Sequence, residues 1–222
     1  MLIGIPKEIK NHEYRVGLAP ASVREVIAHG HDVQVQENAG EGIGATDDDY
    51  RSVGAAVIDD PSRIFGEADM IVKVKEPLEP ERKLLREEQV LFTYLHLAPD
   101  PEQTSDLVDS GAVCIAYETV TSPSGGLPLL APMSKVAGRM AIQAGAHCLE
   151  NPHGGRGMLL GGVPGVDPAK VVILGAGVVG THATHIAVGM GADVWVIDRN
   201  PDVLESHWQQ FGSSCFRCGR LT

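Results

Sequence analysis

The stretch VVILGAGVVGTHATHIAVGMGADVWVID, residues 171–198, reads as a strand, a glycine turn, a helix and a second strand. Its Gly175-Ala-Gly177-Val-Val-Gly180 segment follows the apolar run VVIL directly, the context that makes GxGxxG a dinucleotide-binding signal. Gly175 permits the tight turn, Gly177 lets backbone approach a pyrophosphate, and Gly180 lets helix and strand pack closely. The first helical turn then offers N–H groups and a positive dipole end to phosphate, with Val178 and Val179 lining it. Asp198 ends the second strand, where a carboxylate accepts hydrogen bonds from ribose hydroxyls and repels a 2′-phosphate. That favours NAD over NADP, although the adjacent Arg199 keeps the alternative open, since an arginine there accommodates the extra phosphate. A complete fold of this kind needs two mononucleotide-binding halves, and about one fits after Val171, so the nucleotide domain is expected to be incomplete.

Upstream, residues 1–117 alternate the apolar runs LIGI, DVQVQ, AAVI, MIVKVK, VLFTYL and AVCIAY with helix-like segments, which predicts a parallel sheet with helical crossovers. Pro20 opens one helix and Gly30 closes it, Thr46 precedes the acids Asp47 and Asp48, and Asp100-Pro101 opens a segment ending at Gly111. The turn-rich TSPSGGLPLLAP, residues 121–132, separates this unit from MSKVAGRMAIQAGAHCLE, where Val136, Met140, Ala144 and Cys148 recur every four residues and predict a long helix. The glycine-rich NPHGGRGMLLGGVPGVDPAK, residues 151–170, is too irregular for a GxxxxGK[ST] phosphate loop and reads as a flexible cover or strand pair. The expected fold is therefore α/β, with two Rossmann-like parallel-sheet domains: a substrate-binding, catalytic one over residues 1–130, and the first half of an NAD-binding one over 131–222.

Bulk properties narrow the function. The 222 residues are 43% hydrophobic and 21% charged, ordinary for a globular protein. A net charge of -11 with no cluster of Lys or Arg argues against nucleic-acid or anionic-membrane binding. MLIGIPKEIK lacks the layout of a signal peptide, so a cytoplasmic location is expected. The cysteines do not suggest a secreted disulfide framework; Cys215-x-x-Cys218 is at most half a zinc site, and no metal is expected.

Three polar residues fall just past the carboxyl ends of predicted strands, where ligands gather in open α/β sheets: Arg15, Lys75 and His96. An arginine fork suits a carboxylate, a lysine polarises a carbonyl, and a histidine exchanges protons near neutral pH, which together fit a 2-oxo or 2-amino acid. Each also has a structural explanation: Arg15 can pair with Glu13, Lys75 can be a solvated charge beside Glu76, and His96 can simply bond a loop. His182 and His185 are three apart on the nucleotide helix and within reach of one metal, but they read better as its polar, solvated face.

IPKEIKNHEYRVGLAPASV, IVKVKEP, LFTYLHLA, AYETV, LPLLAPMSKVAGRMAIQAGAHCLE, GGRGMLLGGVPGV and VVILGAGVVG together resemble the amino-terminal part of the alanine dehydrogenase family, in order from residue 1 to about 210. The more distant transhydrogenase α subunits share the opening IPKE…RV pattern. The resemblance implies NAD-dependent, reversible oxidative deamination of L-alanine to pyruvate and ammonium. It implies that Arg15 and Lys75 hold the substrate carboxylate and carbonyl, that His96 is the catalytic acid/base, and that Ser134, Val178, Val179 and Asp198 contact the cofactor. It also implies two Rossmann-like domains with the active site between them, in subunits that usually form hexamers.

The final SHWQQFGSSCFRCGRLT departs from the family pattern, and the family's carboxyl-terminal part, with its catalytic aspartate, has no counterpart before Thr222. Residues 212–222 are therefore expected to be an aberrant tail on a truncated chain of impaired activity, with an exposed sheet edge beside the strand ending at Asp198. The alternatives are an NAD-binding subunit resembling transhydrogenase α, completed by a separate polypeptide, and a noncatalytic fragment acting as an interaction module.

Overall fold

The computed structural model describes residues 1–212 and the strand Arg217–Arg220. The chain divides into two compact units, Met1–Leu127 and Pro128–Thr222. The first contains strands β1 (Leu2–Ile5), β2 (Asp32–Gln36), β3 (Ala56–Ile58), β4 (Met70–Val72), β5 (Val90–Thr93) and β6 (Val113–Ala116). Helices α1 (Pro20–Ala28), α2 (Asp47–Ser52), α3 (Pro61–Glu67), α4 (Glu79–Arg82) and α5 (Pro101–Asp109) alternate with them. All the strands pair in parallel, in the order β3-β2-β1-β4-β5-β6. Each of the six apolar runs has become a strand, and their order is that of a doubly wound nucleotide-binding fold, whose connections reverse direction between β1 and β4.

Local chemistry starts these helices where their sequence signals lie. Thr46 caps α2 by accepting from the Asp49 N–H at 3.2 Å, while the Asp49 carboxylate accepts from the Thr46 N–H at 2.7 Å. Asp100 caps α5 through the Gln103 N–H, 2.9 Å away, and Asp60 does the same for α3 through Ser62 at 2.8 Å. The sequence reading passed over α3, although Asp60-Pro61 carries the same start signal.

The strands of the first unit send side chains to both faces of the sheet. Ile3 and Ile5 join Val23, Val33, Val35 and Tyr50 in one apolar cluster; Ile64, Phe65, Ile71 and Leu91 form another. Gly4 lies between Ile3 and Ile5 on β1, and a Cβ there would stand 2.6 Å from the Ile64 side chain and 2.9 Å from Ala68. Its lack of a side chain is what lets α3 lie against the central strand.

The second unit contains α6 (Ala131–Cys148), β7 (Lys170–Leu174), α7 (Val178–Gly189), β8 (Asp193–Asp198), α8 (Pro201–Phe211) and β9 (Arg217–Arg220). Its strands are parallel in the order β7-β8-β9. The expected open edge beside β8 is therefore corrected: β8 is central, paired on both sides, with Trp195 opposite Val172 and Arg217. Among the described residues β7 and β9 are the outer strands of this sheet, and Val172 and Leu174 of β7 are exposed. The long helix is present, but Val136 and Met140 of its four-residue repeat face outward, while Gly138 and Ile142 are buried. The reason is close packing: a Cβ at Gly138 would collide with the Val179 carbonyl oxygen of α7. The 151–170 segment contributes a single antiparallel bridge, Val163 to Val166, and buries Leu160.

Replacing Gly4 with Val should overpack the β1–α3 contact and cost on the order of 1–3 kcal/mol. Urea unfolding followed by circular dichroism checks this; an unchanged midpoint would mean that α3 yields without cost.

Candidate functional site

At the carboxyl edge of the first sheet, three strand exits converge on a buried charge. Lys73, the first residue after β4, has no solvent exposure, and its Nζ donates to Glu81 Oε1 at 2.6 Å and Glu8 Oε2 at 3.2 Å. Glu8 follows β1, and its other oxygen accepts the Val74 N–H at 2.6 Å and the Lys75 N–H at 3.4 Å. Glu81 also accepts the Leu78 N–H at 2.8 Å, and the Tyr117 hydroxyl donates to the Lys73 carbonyl at 2.9 Å. Burial drives the Tyr117 phenol well above its ordinary value, so it stays a donor. The backbone that presents Lys75 is thus held from β1, α4 and the segment after β6.

Lys75 itself is partly exposed, its Nζ 3.9 Å from Glu76 Oε2, while Glu76 Oε1 accepts from Lys10. Arg15 follows β1 and engages Glu13: its backbone N–H and Nε donate to Oε1 at 2.9 and 2.8 Å, and an η nitrogen to Oε2 at 2.6 Å. The Arg15 hydrogen bond and the charges of Arg15 and Lys75 outweigh burial to hold the Glu13 carboxyl below its ordinary value. Arg15 and Glu13 line a cavity of 460 Å³ with Lys7, Glu8 and Lys10. The pairing considered for Arg15 is thus present, and a substrate carboxylate would have to share the guanidinium with Glu13.

His96 is exposed, two residues beyond the partly exposed Tyr94, on the loop leaving β5. Its φ is +48°, a left-handed conformation uncommon for a residue with a side chain. Glu118, in the turn Tyr117–Thr119, holds this backbone: its Oε1 accepts the His96 N–H at 2.8 Å and the Leu95 N–H at 3.1 Å. The imidazole stacks on Tyr94, ring centroids 6.2 Å apart. Tyr94 feels burial first and then the charges of Arg15 and Glu118. Strand ends alone do not single out Glu8, Lys73, Tyr94 or Glu118: Glu8 meets Lys73 across 65 residues and Glu118 meets His96 across 22, separations that no local spacing announces.

In the second unit, Gly175 turns at φ +93°, its N–H donating to the Ile197 carbonyl at 2.7 Å, and Gly177 precedes α7. Space above both glycines is open, whereas a Cβ at Gly180 would collide with the Gly175 carbonyl oxygen. The first turn of α7 has N–H groups with no acceptor inside the helix, as any helix does. Ser134, Gly175, Gly177, Val178, Val179 and Gly180 line one apolar cavity of 750 Å³, which continues along the open side of β7. Asp198 lies beside the loop: Oδ2 accepts the Ala176 N–H at 2.6 Å and Oδ1 the Asn200 N–H at 2.8 Å. Those bonds, from Ala176 first, hold its carboxyl below the ordinary 3.8. Each oxygen keeps a lone pair for a hydroxyl, so loop and carboxylate fit a dinucleotide's pyrophosphate and ribose.

The histidine pair of α7 is not a solvated face throughout. His182 is partly buried where α7 meets Gly138 of α6, and His185 meets the Phe211 ring edge-on, centroids 5.6 Å apart. The cysteine pair Cys215 and Cys218 lies outside the residues whose side chains are described. No described helix is long and apolar enough to cross a membrane.

Residues 4–137 match the family model for the alanine dehydrogenase/PNT N-terminal domain, and residues 141–218 the model for its C-terminal domain. The chain is 56% identical over 206 residues to an alanine dehydrogenase of Halomonas elongata, covering 93% of this chain and 56% of that protein. It is 54% identical over 212 residues to that of Bacillus subtilis, covering 96% and 56%. Among solved structures, an L-alanine dehydrogenase superposes with a TM-score of 0.91 at 51% identity, covering the whole of this chain and 61% of that one. A transhydrogenase from Sinorhizobium meliloti superposes at 0.79 with 25% identity, covering the whole of this chain and 64% of that one. The chain thus spans about half the length of the curated relatives it matches.

Replacing Lys73 with Met should leave Glu8 and Glu81 as buried unpaired acids and cost about 3–5 kcal/mol, most of it recovered when both become Gln. Urea unfolding of the single and triple variants measures the difference; equal midpoints for the wild-type chain and the single variant would refute the pairing. Because the Asp198 pKa is lowered, its tether to the loop should be fully present above pH 3.8 and lost as pH falls through the lowered value. The carboxyl-carbon NMR shift should titrate below 3.8; titration at or above that value would show that the contact is not made.

Proposed function

The chain belongs to the alanine dehydrogenase/PNT family, and from that premise we propose that it supplies the substrate-holding groups and cofactor loop for NAD-dependent, reversible oxidative deamination of L-alanine to pyruvate and ammonium. The observation that carries the proposal is the convergence of Arg15, Lys75 and His96 on the carboxyl edge of one parallel sheet, around its β1–β4 switch point. Arg15 binds the substrate carboxylate, sharing its fork between that group and Glu13. Lys75 draws electron density from the pyruvate carbonyl, which exposes the carbon to ammonia. His96 passes protons as the carbinolamine loses water, its backbone held by Glu118.

Gly175, Gly177 and Gly180 with the α7 N-terminus receive the pyrophosphate, Asp198 the adenosine ribose, and Ser134, Val178 and Val179 the flanking surface of NAD. When bound, the nicotinamide supplies or takes up the hydride. Of the two family branches, the 51% identity with the L-alanine dehydrogenase structure, against 25% with the transhydrogenase, favours the alanine reaction.

The test is NADH formation from L-alanine and NAD, by the chain itself and by a chimera joining residues 1–210 to the remainder of the Bacillus subtilis relative, with that relative as control. An active chimera supports the proposal; an inactive chimera that folds and binds NADH overturns the substrate assignment. In the active protein, His96→Ala should lower turnover by roughly 10²-fold or more, with near-normal turnover rejecting its role. Asp198→Ala should weaken NADH binding and reduce discrimination against NADPH; an unchanged preference in fluorescence titrations counts against the ribose contact.

A further inference from the structure

The carboxyl end of α6, whose Ala146 and Leu149 line the cavity described above, brings two exposed histidines around one carboxylate. His147 stands in the last turn of the helix, Glu150 two residues beyond its end, and His153 in the short turn Asn151–His153. Two successive three-residue hydrogen bonds align them, Glu150 N–H to the His147 carbonyl at 3.2 Å and His153 N–H to the Glu150 carbonyl at 3.0 Å. The imidazoles lie with centroids 3.8 Å apart, each presenting Nδ1 to a different oxygen of Glu150, at 3.6 Å from His147 and 3.3 Å from His153. All three ligand atoms fall within 4.8 Å of one another, and all three side chains are open to solvent.

From this geometry we propose a binding site for a divalent transition metal of the zinc class, ligated by His147, Glu150 and His153 with a fourth position left to water. Two ligands bound at about 2.0–2.1 Å to one tetrahedral ion stand roughly 3.3 Å apart, close to the nitrogen–oxygen separations present here. Two imidazoles and a carboxylate form a nitrogen–oxygen donor set that suits Zn²⁺, Ni²⁺ or Cu²⁺ rather than Mg²⁺ or Ca²⁺. The negative end of the α6 dipole adds a further attraction for a cation.

The backbone is prepared for the site. Gly155 and Gly157 return N–H groups to the Glu150 and Leu149 carbonyls at 3.0 and 2.8 Å, and a Cβ at Gly155 would collide with the Leu149 carbonyl group. Little ordering is left for the metal to impose, and its effect would be to fasten the end of α6 to the glycine-rich segment that follows.

Zn²⁺ titrated calorimetrically into the full 222-residue chain should show one saturable site. His147→Ala with His153→Ala should abolish it, Glu150→Gln should weaken it by about tenfold or more, and Cys215→Ser with Cys218→Ser should leave it in place. The exposed histidine variants should melt like the parent without metal, and with Zn²⁺ the parent and the cysteine variant should gain melting temperature while the histidine variants do not. No saturable binding, or binding that survives the histidine pair and disappears with the cysteine pair, would overturn the proposal.

Discussion

A charge taken out of water costs several kcal/mol unless it is paired, and Lys73 is buried completely at the carboxyl edge of the first sheet. The two carboxylates that meet it come from different parts of the chain, Glu8 after β1 and Glu81 in α4. Satisfying one ammonium therefore fixes where three segments lie. Glu8 spends its remaining oxygen on the Val74 and Lys75 N–H groups, so the interaction that neutralises Lys73 also orients the backbone of Lys75. A hydrophobic residue of similar volume in place of Lys73 would fill the space but lose the register between these exits.

The same economy governs the second unit. Asp198 ties the end of β8 to the loop after β7 by accepting the Ala176 N–H, before any ligand is considered. Gly180 closes against Gly175, Gly138 against α7, and the glycine loop stands clear between them. A fixed loop with open N–H groups is what a pyrophosphate needs, because little conformational freedom remains to be lost on binding.

Much of the site was legible in the sequence, for a definable reason. Gly175, Gly177, Gly180 and Asp198 belong to one continuous stretch, so the hydrophobic period and glycine spacing that mark strand, turn and helix also mark the loop. Arg15, Lys75 and His96 were reached because they follow apolar runs that became β1, β4 and β5. Their supports were not reached: Glu118 lies 22 residues from His96 and Glu8 65 from Lys73, distances that the fold alone closes. The His147–Glu150–His153 column was missed for a different reason. Its spacing of three lines up only because α6 gives way to a short turn, which a uniform 100° helical step does not represent.

The sequence by itself determined the strands of the first sheet, the helix starts at Thr46 and Asp100, and the glycine loop, since each depends on residues a few positions apart. Tertiary structure decided which face of α6 is buried. Period four along Val136, Met140, Ala144 and Cys148 predicts a helix correctly, but the face that packs is chosen by the close approach of α7 at Gly138. It also decided that β8 lies between β7 and β9, and that Arg15 spends its fork on Glu13. Periodicity records what a segment does to itself; strand order, buried face and charge partner depend on what arrives from elsewhere in the chain.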